Sequence, residues 1–130
     1  MDREILFRGK DIYGKWLYGD LINLTNELKQ ICNHTQLEHA HSVDIKTIGQ
    51  YTGLLDKNGT KIFEGDIVVC KQSINGNFIS ECIEIGYVEM KHGAFGLHRK
   101  QGYYRPFKDW LEDYDYEVIG TIHDNPELLK

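Results

Sequence analysis

Short runs of apolar and β-branched residues recur along the chain, and most of them end near a glycine, asparagine or aspartate. Where apolar and polar side chains alternate, the pattern indicates a half-buried strand, because successive strand side chains point to opposite faces. In residues 43–51, for example, Val43, Ile45 and Tyr51 share one face. The pattern predicts strands at residues 4–8, 15–24, 43–52, 61–63, 67–71, 78–90, 95–100 and 116–122.

The turns between these strands are marked by glycine. Asn58-Gly59 and Asn75-Gly76 each separate two apolar runs, and Asn-Gly favours the type I′ turn of a two-residue hairpin. A third turn is expected near His92-Gly93, so residues 61–100 read as a meander. Within the long run from Phe78 the apolar phase changes at Gly86, which predicts a bulge or bend there.

Helix signals are few. The final segment DNPELL has Asp124 or Asn125 as a cap and Pro126 at the first helical position, which predicts one short helical turn. Residues 107–112 are a second candidate for a single turn. Residues 24–34 are either helical or irregular, and the polar, histidine-rich residues 32–41 are interpreted as a surface loop.

These elements predict a mostly β fold, a small antiparallel sheet or barrel-like domain with one or two short helical turns. The C-terminal half has the tendency of an SH3-like barrel, and an α+β fold is the alternative. With 130 residues, 41% of them hydrophobic and 27% charged, the chain is expected to form a single folded domain over residues 1–130.

The composition indicates the cellular location of the protein and the state of its cysteines. No apolar run approaches the ~20 residues of a membrane-spanning helix, and the charged N-terminus is unlike a secretory signal. We therefore expect a cytoplasmic protein that does not enter a membrane. The three cysteines form no C-x-x-C pair and are expected to be free thiols. The net charge of −5 opposes general binding to phosphate backbones.

Several motifs occur together in one order, from the first strand to the last. They are REILFRGK at residues 3–10, WLYGDLI at 16–22, IGQYTGLLDKNG at 48–59, IFEGDIV at 62–68 and EVIGTIHDNPELL at 117–129. In these motifs the chain resembles the YopX family of phage and prophage proteins. The intervening residues 23–42 and 71–101 do not share the resemblance.

The resemblance implies a phage or prophage origin, expression inside a bacterium and a mainly β fold. It assigns no catalytic residue. The segment from residue 48 to residue 68 is the most family-specific, yet its small residues are explained by turns alone: glycines allow unusual dihedrals, and Asn58-Gly59 reverses the chain.

The densest set of potential metal ligands lies within ten residues. It combines one thiol with three imidazoles, which are the donors that zinc prefers. The spacing C-x-H-x4-H-x-H is not a standard zinc pattern, and a solvated loop with chance histidines is the simpler interpretation. The candidate ligands are Cys32, His34, His39 and His41.

A basic, aromatic segment extends from residue 91 to residue 108 and contains no acidic residue. Cations that follow phosphates, beside rings that stack on bases, are typical of surfaces that bind single-stranded nucleic acid. The acidic residues 109–117 follow at once, and ion pairing between the two segments is the competing interpretation. The candidate nucleic-acid-binding residues are Lys91, Arg99, Lys100, Tyr103, Tyr104, Arg105 and Lys108, with Phe95 and Phe107 interleaved.

Carboxylates offer a weaker hypothesis. Asp20, Glu64 and Asp66 could serve in acid–base or metal chemistry, and Glu64 and Asp66 would share a face if a strand ran through them. Carboxylates beside turns more often cap backbone amides. No phosphate-binding loop, HExxH motif or nucleophile in a recognisable context accompanies them.

These observations favour a non-catalytic accessory or protein-interaction module that needs no cofactor, with an unknown protein of the phage or the bacterial host as its partner. Nucleic-acid binding through residues 91–108 is the alternative, and a metal-dependent enzyme is the least favoured reading. Self-association stays open, because small β domains can hide exposed strand edges by pairing.

Overall fold

The computed structural model describes residues 4–33, 36–74, 77–91, 93–100, 104–107 and 114–130. For strand residues 33, 36–39, 72–74, 77–83 and 114 it describes the backbone alone. The chain divides into two compact units, Met1–Gly53 and Leu54–Lys130, called unit 1 and unit 2 below.

Unit 1 is an antiparallel sheet in which each strand pairs with the one before it, except that β5 returns to lie beside β1. The spatial order is β4-β3-β2-β1-β5. The strands are β1 (Phe7–Lys10), β2 (Trp16–Asn23), β3 (Lys29–Asn33), β4 (Gln36–Val43) and β5 (Gly49–Leu55), of which the last continues into unit 2.

Close packing in unit 1 depends on Gly9 in β1. A β-carbon at this position would lie only 3.0 Å from the Val43 β-carbon, so glycine leaves the room in which Val43 is buried. Ile31 is also buried. It pairs with His41, two residues from Val43, so Ile31 and Val43 share one face of the sheet.

Unit 2 contains β6 (Lys61–Phe63), which follows β5 in the strand order, and a second antiparallel sheet. That sheet has the order β10-β9-β8-β7-β11. Its strands are β7 (Asp66–Ile74), β8 (Asn77–Lys91), β9 (Ala94–Arg99), β10 (Tyr104–Pro106) and β11 (Tyr114–Thr121).

The core of unit 2 lies on one face of this sheet. Val68 pairs with Gly86, and Val88 pairs with Leu97, so alternate residues of neighbouring strands meet on the same side. Phe107 and Tyr116 meet edge to face with their ring centroids 5.1 Å apart. The buried cluster consists of Ile62, Val68, Cys70, Val88, Leu97, Phe107 and Tyr116.

Several predictions from the sequence are confirmed. Pro126–Leu129 is a single turn of 3₁₀ helix with Asn125 at its N-cap. Lys91 pairs with Ala94 around the predicted turn, where Gly93 has a positive φ of 78°. Residues 75 and 76 lie outside the described residues, although the flanking Ile74 and Asn77 pair. Residues 108–112 of the other proposed helical turn also lie outside them.

The predictions for residues 24–52 are partly wrong. Residues 29–33 and 36–43 are the strands β3 and β4, not a helix or a surface loop. Polar side chains hide the period of these strands, and hydrogen bonding to β2 defines β3 instead. The predicted strand 43–52 is interrupted by a 3₁₀ turn, Ile45–Thr47, because the Asp44 side chain accepts from the Lys46 N–H at 3.0 Å.

Gly86 is a point of close approach, not the predicted bulge. The register of β8 is regular at Gly86 on both sides, and the irregularity with β7 lies instead between Lys71 and Ser73. A β-carbon at Gly86 would lie 2.3 Å from the His98 carbonyl oxygen. Glycine is therefore required by the backbone of the neighbouring strand.

The mostly β fold is confirmed. Within the described ranges there are two antiparallel sheets, each with two end strands, so no closed barrel is formed. Among those same residues no helix has the length and apolar character needed to cross a membrane.

Candidate functional site

The turn between β1 and β2, residues 11–15, encloses the three residues 12–14 between Asp11 and Lys15 and is called the tip loop below. The Gly14 N–H donates to the Asp11 carbonyl at 3.1 Å, and the Asp11 N–H donates to the Lys15 carbonyl at 3.0 Å. Gly14 has a φ of 80°, a conformation that glycine adopts without strain. This is a type I turn closed by a bulge glycine.

The Asp11 side chain locks the tip loop. Its Oδ1 atom accepts hydrogen bonds from the N–H groups of Tyr13 and Lys15, each at 2.9 Å. Aspartate is suited to this position because its short side chain reaches the backbone two residues on. The loop is therefore held by four hydrogen bonds that involve neither side chain at its tip.

The two side chains at the tip are apolar and almost fully exposed. Ile12 is 84% exposed and Tyr13 is 87% exposed. Single exposed apolar residues are ordinary on protein surfaces. Two adjacent ones on a hydrogen-bonded turn form an exposed apolar patch, and tyrosine is enriched at binding hot spots.

A second loop, residues 56–60, has the same hydrogen bonds and is called the inner loop below. The Gly59 N–H donates to the Asp56 carbonyl at 3.0 Å, and the Asp56 N–H to the Thr60 carbonyl at 2.8 Å. Asp56 Oδ1 accepts from Asn58 and Thr60 at 2.8 and 2.9 Å. The type I′ turn predicted at Asn58-Gly59 is therefore wrong, because Asp56 draws three residues into the loop.

The inner loop serves as an internal reference. The positions equivalent to Ile12 and Tyr13 are occupied by Lys57 and Asn58, which are polar. The same backbone geometry thus forms with polar residues at the tip. The hydrogen bonds that close the tip loop therefore do not require apolar residues at positions 12 and 13.

Cations and aromatic rings lie beside the tip loop on β1 and β2. Lys10 pairs with Trp16, and Arg8 pairs with Tyr18. The Arg8 guanidinium carbon lies 4.5 Å from the Trp16 ring centroid, and the Lys10 Nζ atom lies 5.4 Å from it. Both distances are within the range of cation–π attraction, which orders the Trp16 ring. Tyr18, on the same face, is 53% exposed.

The 3₁₀ turn Ile45–Thr47 lies against the same end of β1. The Asp44 N–H donates to the Lys10 carbonyl at 2.8 Å, and the Lys10 N–H donates to Thr47 Oγ1 at 2.8 Å. Ile45 and Lys46 are exposed on this turn. The tip loop and the 3₁₀ turn thus form one end of unit 1, the hairpin end, with apolar and basic side chains at its surface.

The predicted basic segment is used largely inside unit 2. Arg99 Nη1 donates to Glu84 Oε1 at 2.8 Å across to β8, so the described ion pair does not involve residues 109–117. The Lys100 ammonium donates to the Lys130 carbonyl. Lys91 is exposed and Arg105 is half-buried, while Tyr103 and Lys108 lie outside the described residues.

The aromatic residues of this segment pack instead of presenting flat faces. Phe107 is buried in the core, and Phe95 packs against it. The Tyr104 hydroxyl donates to the Ala94 carbonyl at 2.5 Å, and a β-carbon at Gly96 would lie 2.6 Å from the Tyr104 ring. The ring therefore covers the bare backbone at Gly96. Base stacking needs exposed ring faces, which these three side chains do not offer together.

The predicted metal ligands are not assembled where the structure describes them. His41 pairs with Ile31, so Cys32, the neighbour of Ile31, points to the opposite face of the sheet. Cys32 is also buried, whereas His41 is exposed. The side chains of His34 and His39 lie outside the described ones. Within the described part of the chain, no group of three potential ligands surrounds a metal position.

The predicted pairing of Glu64 with Asp66 is wrong, because no strand runs through both. β6 ends at Phe63 and β7 begins at Asp66. The buried Asp66 accepts a hydrogen bond from the Phe63 N–H at 2.7 Å, so it closes this turn. Asp20 is a half-buried residue of β2 in unit 1.

One polar cluster of unit 2 and the environment of the buried Cys70 had no signal in the sequence. Tyr87 and His98 pair across β8 and β9 with rings stacked 4.9 Å apart, and His98 Nδ1 lies 3.2 Å from Glu89 Oε1. Burial, and then Glu89, raises the pKa of Tyr87. Burial, with Glu84 nearby, raises the pKa of the Cys70 thiol to about 12. A thiol with this pKa is protonated at neutral pH and a poor nucleophile.

The tip loop was also missed, although the sequence contains a signal for it. Asp-x-x-Gly occurs as DIYG at residues 11–14 and as DKNG at residues 56–59, before a strand in both cases. The Asn-Gly dipeptide occurs only in the second of these loops, whereas the aspartate at the first position, Asp11 or Asp56, is common to both. The exposure of Ile12 and Tyr13, in contrast, has no signal in the local sequence.

Comparisons with known proteins agree with the fold. The family model described as YopX protein matches residues 6–130. A crystal structure of protein EF1440 from Enterococcus faecalis is similar over 99% of this chain and 100% of that chain, with 24% identity and a TM-score of 0.57. At this identity the likeness concerns the fold alone. No curated protein matches the sequence.

Proposed function

The chain belongs to the YopX protein family, and on that premise we propose that it is a non-catalytic protein-interaction module that binds its partner through the hairpin end of unit 1. One observation carries the proposal. Ile12 and Tyr13 are exposed on a loop whose local hydrogen bonds also form in the inner loop, where Lys57 and Asn58 occupy the same positions.

The energetics favour binding at this point. Full burial of an isoleucine side chain stabilises a complex by about 1.5–3 kcal/mol, and a tyrosine hot spot contributes about 2 kcal/mol or more. The four hydrogen bonds of the tip loop fix the backbone that carries both side chains before the partner arrives. Little backbone entropy is lost on binding, so more of the contact energy appears as affinity.

The absence of catalysis is part of the same proposal. Cys70 is buried with a raised pKa, and Asp66 is committed to a turn. Cys32 and His41 point to opposite faces of their sheet. The described candidates for nucleophile, base and metal ligand therefore do not converge on one position, which acid–base or nucleophilic chemistry requires.

The setting is the one implied by the family resemblance, the cytoplasm of a bacterium that carries the phage or prophage. The partner is a protein of the phage or of the host. Both placements belong to the proposal, and the experiment below is performed in such cells so that the natural partner is present.

Site-specific photo-crosslinking tests the proposal. Tyr13→p-benzoylphenylalanine places the probe at the tip loop, and Asn58→p-benzoylphenylalanine is the matched control on the inner loop. We expect one protein adduct at position 13 that is absent at position 58 and survives nuclease treatment. The same adducts at both positions, or no protein adduct at position 13, would refute the proposed function.

Nucleic-acid binding through residues 91–108 is the runner-up. Lys91 and Lys100 are exposed and could contact phosphates. Lys91→Glu plus Lys100→Glu tests this better than a change at Arg99, whose loss would leave Glu84 without its ion-pair partner. Binding to single-stranded DNA at low salt that this variant abolishes would favour the runner-up.

A further inference from the structure

We infer that the partner surface recognised by the hairpin end is acidic and contains an apolar cleft, so that carboxylates of the partner surround the bound Ile12 and Tyr13. This inference rests on the proposed function and deepens it by naming the chemical class of the partner. It follows from the charges around the tip loop and from the shape of the loop.

Lysines surround the exposed apolar side chains. Lys10 and Lys15 flank the tip loop on its two strands, and Lys46 lies on the 3₁₀ turn that is hydrogen bonded to β1. These lysines belong to segments joined by backbone hydrogen bonds. Their backbone positions relative to the tip are therefore defined by the fold.

The two acidic residues at this end are turned toward the backbone. Asp11 Oδ1 accepts from Tyr13 and Lys15, and Asp44 Oδ1 accepts from Lys46. Their carboxylates neutralise the positive ends of these turns. Lys15 and Lys46 are exposed, so the hairpin end presents cations beside carboxylates that accept backbone hydrogen bonds, in a chain whose formal net charge is −5.

The difference between the basic hairpin end and the acidic chain as a whole orients an acidic partner. Charges farther apart than the Debye length of about 8 Å are screened at physiological ionic strength, so a partner close to the hairpin end responds to that end. A partner that approaches an acidic part of the same chain is repelled instead. Electrostatic complementarity of this kind raises the association rate and selects the docking orientation.

A protein cleft fits this end better than other anionic surfaces. Aliphatic Ile12 offers nothing for a base to stack on, and Arg8 is buried against Trp16, away from any phosphate strand. A bilayer would receive only the two tip side chains, which is too little apolar surface for stable anchoring. A cleft, in contrast, can enclose both side chains and place carboxylates beside the lysines.

The test uses a displayed library of disulfide-cyclised random peptides, which can fold around two side chains, selected for binding to the 130-residue chain. Binding of the enriched peptides is then measured with three variants. Ile12→Lys plus Tyr13→Asn copies the inner loop onto the tip loop. Lys15→Glu plus Lys46→Glu reverses charge at the hairpin end. Lys57→Glu plus Lys91→Glu makes the same change of total charge in unit 2 and is the control.

We expect enriched peptides that combine Asp or Glu with apolar residues. The tip exchange should abolish their binding, and the charge reversal at the hairpin end should weaken it about tenfold and reduce its salt dependence. The control variant should bind within about twofold of the original protein. The same loss in the control variant would overturn the inference, since overall charge would then be responsible.

Other outcomes separate the inference from the proposed function. Peptides that need Ile12 and Tyr13 but show no acidic bias would overturn the acidic partner and leave the interaction module intact. Absence of any peptide that depends on the tip would overturn both. So would tip-dependent binding to single-stranded DNA, or to phosphatidylcholine–phosphatidylglycerol vesicles, in place of peptides.

Discussion

Asp56 Oδ2 accepts a hydrogen bond from the Val118 N–H at 3.0 Å, across 62 residues of the chain. The other oxygen of the same carboxylate holds the inner loop, so one buried side chain joins a local turn to the distant strand β11. The tip loop is built in the same way, but Asp11 has only the local bonds among those described for its carboxylate.

Asp56→Asn should therefore destabilise the protein by about 1–3 kcal/mol. The asparagine oxygen can keep the loop bonds, but its amide group then faces the Val118 N–H, and two donors meet. Asp11→Asn is the matched control and should cost less than about 0.5 kcal/mol, because one oxygen satisfies both of its bonds. Urea unfolding measures both variants. Equal losses in the two would contradict the role given to Val118.

The same carboxylate predicts an acid dependence of stability. Burial raises the pKa of Asp56, but hydrogen bonds from the N–H groups of Val118, Thr60 and Asn58, together with the charge of Lys57, lower it by more, so this pKa lies below its ordinary value of 3.8. A lowered folded pKa means that the contribution is complete above about pH 4 and is lost as the pH falls through the folded value.

Unfolding of the original protein and of Asp56→Asn should be compared between about pH 7 and pH 2. The stability difference between them should be constant near neutral pH and should shrink below about pH 4. A difference that stays constant over the whole range would show that ionisation of Asp56 does not contribute.

Leu97→Ala should cost about 2–5 kcal/mol, because Leu97 is fully enclosed by the core of unit 2 and truncation leaves a cavity. Leu55→Ala is the control with the same change of side chain. Leu55 is exposed, so the expected loss is below about 0.5 kcal/mol. The unfolding midpoint in urea reports both values, and a small loss for Leu97→Ala would contradict its place in the core.

Ile12→Lys plus Tyr13→Asn should leave stability within about 0.5 kcal/mol of the original, since the inner loop forms the same hydrogen bonds with these residues. Thermal melting followed by circular dichroism measures this. A loss above about 1 kcal/mol would mean that the two apolar residues stabilise the fold, and the reason for placing a partner at the tip would disappear.

Local chemistry made much of the fold predictable. Pro126 after Asn125 marked the last 3₁₀ turn, and alternation located β2, β6 and β9 to within two residues. β3 and β4 were not predicted, because their side chains are mostly polar and these strands are defined by pairing with their neighbours. Gly86 showed a change of phase, but only the neighbouring strand explains why glycine is needed there.

The features of the candidate site also separate into those set by local sequence and those set by tertiary structure. The sequence by itself determined the local form of both Asp-x-x-Gly loops, because the hydrogen bonds that close each loop join residues at most four positions apart. Only the tertiary structure decided that Ile12 and Tyr13 are exposed, that Arg99 turns to Glu84 on the neighbouring strand, and that Asp56 reaches Val118. Burial and long-range pairing depend on strand register, which sums weak contacts over many residues and which no short segment encodes.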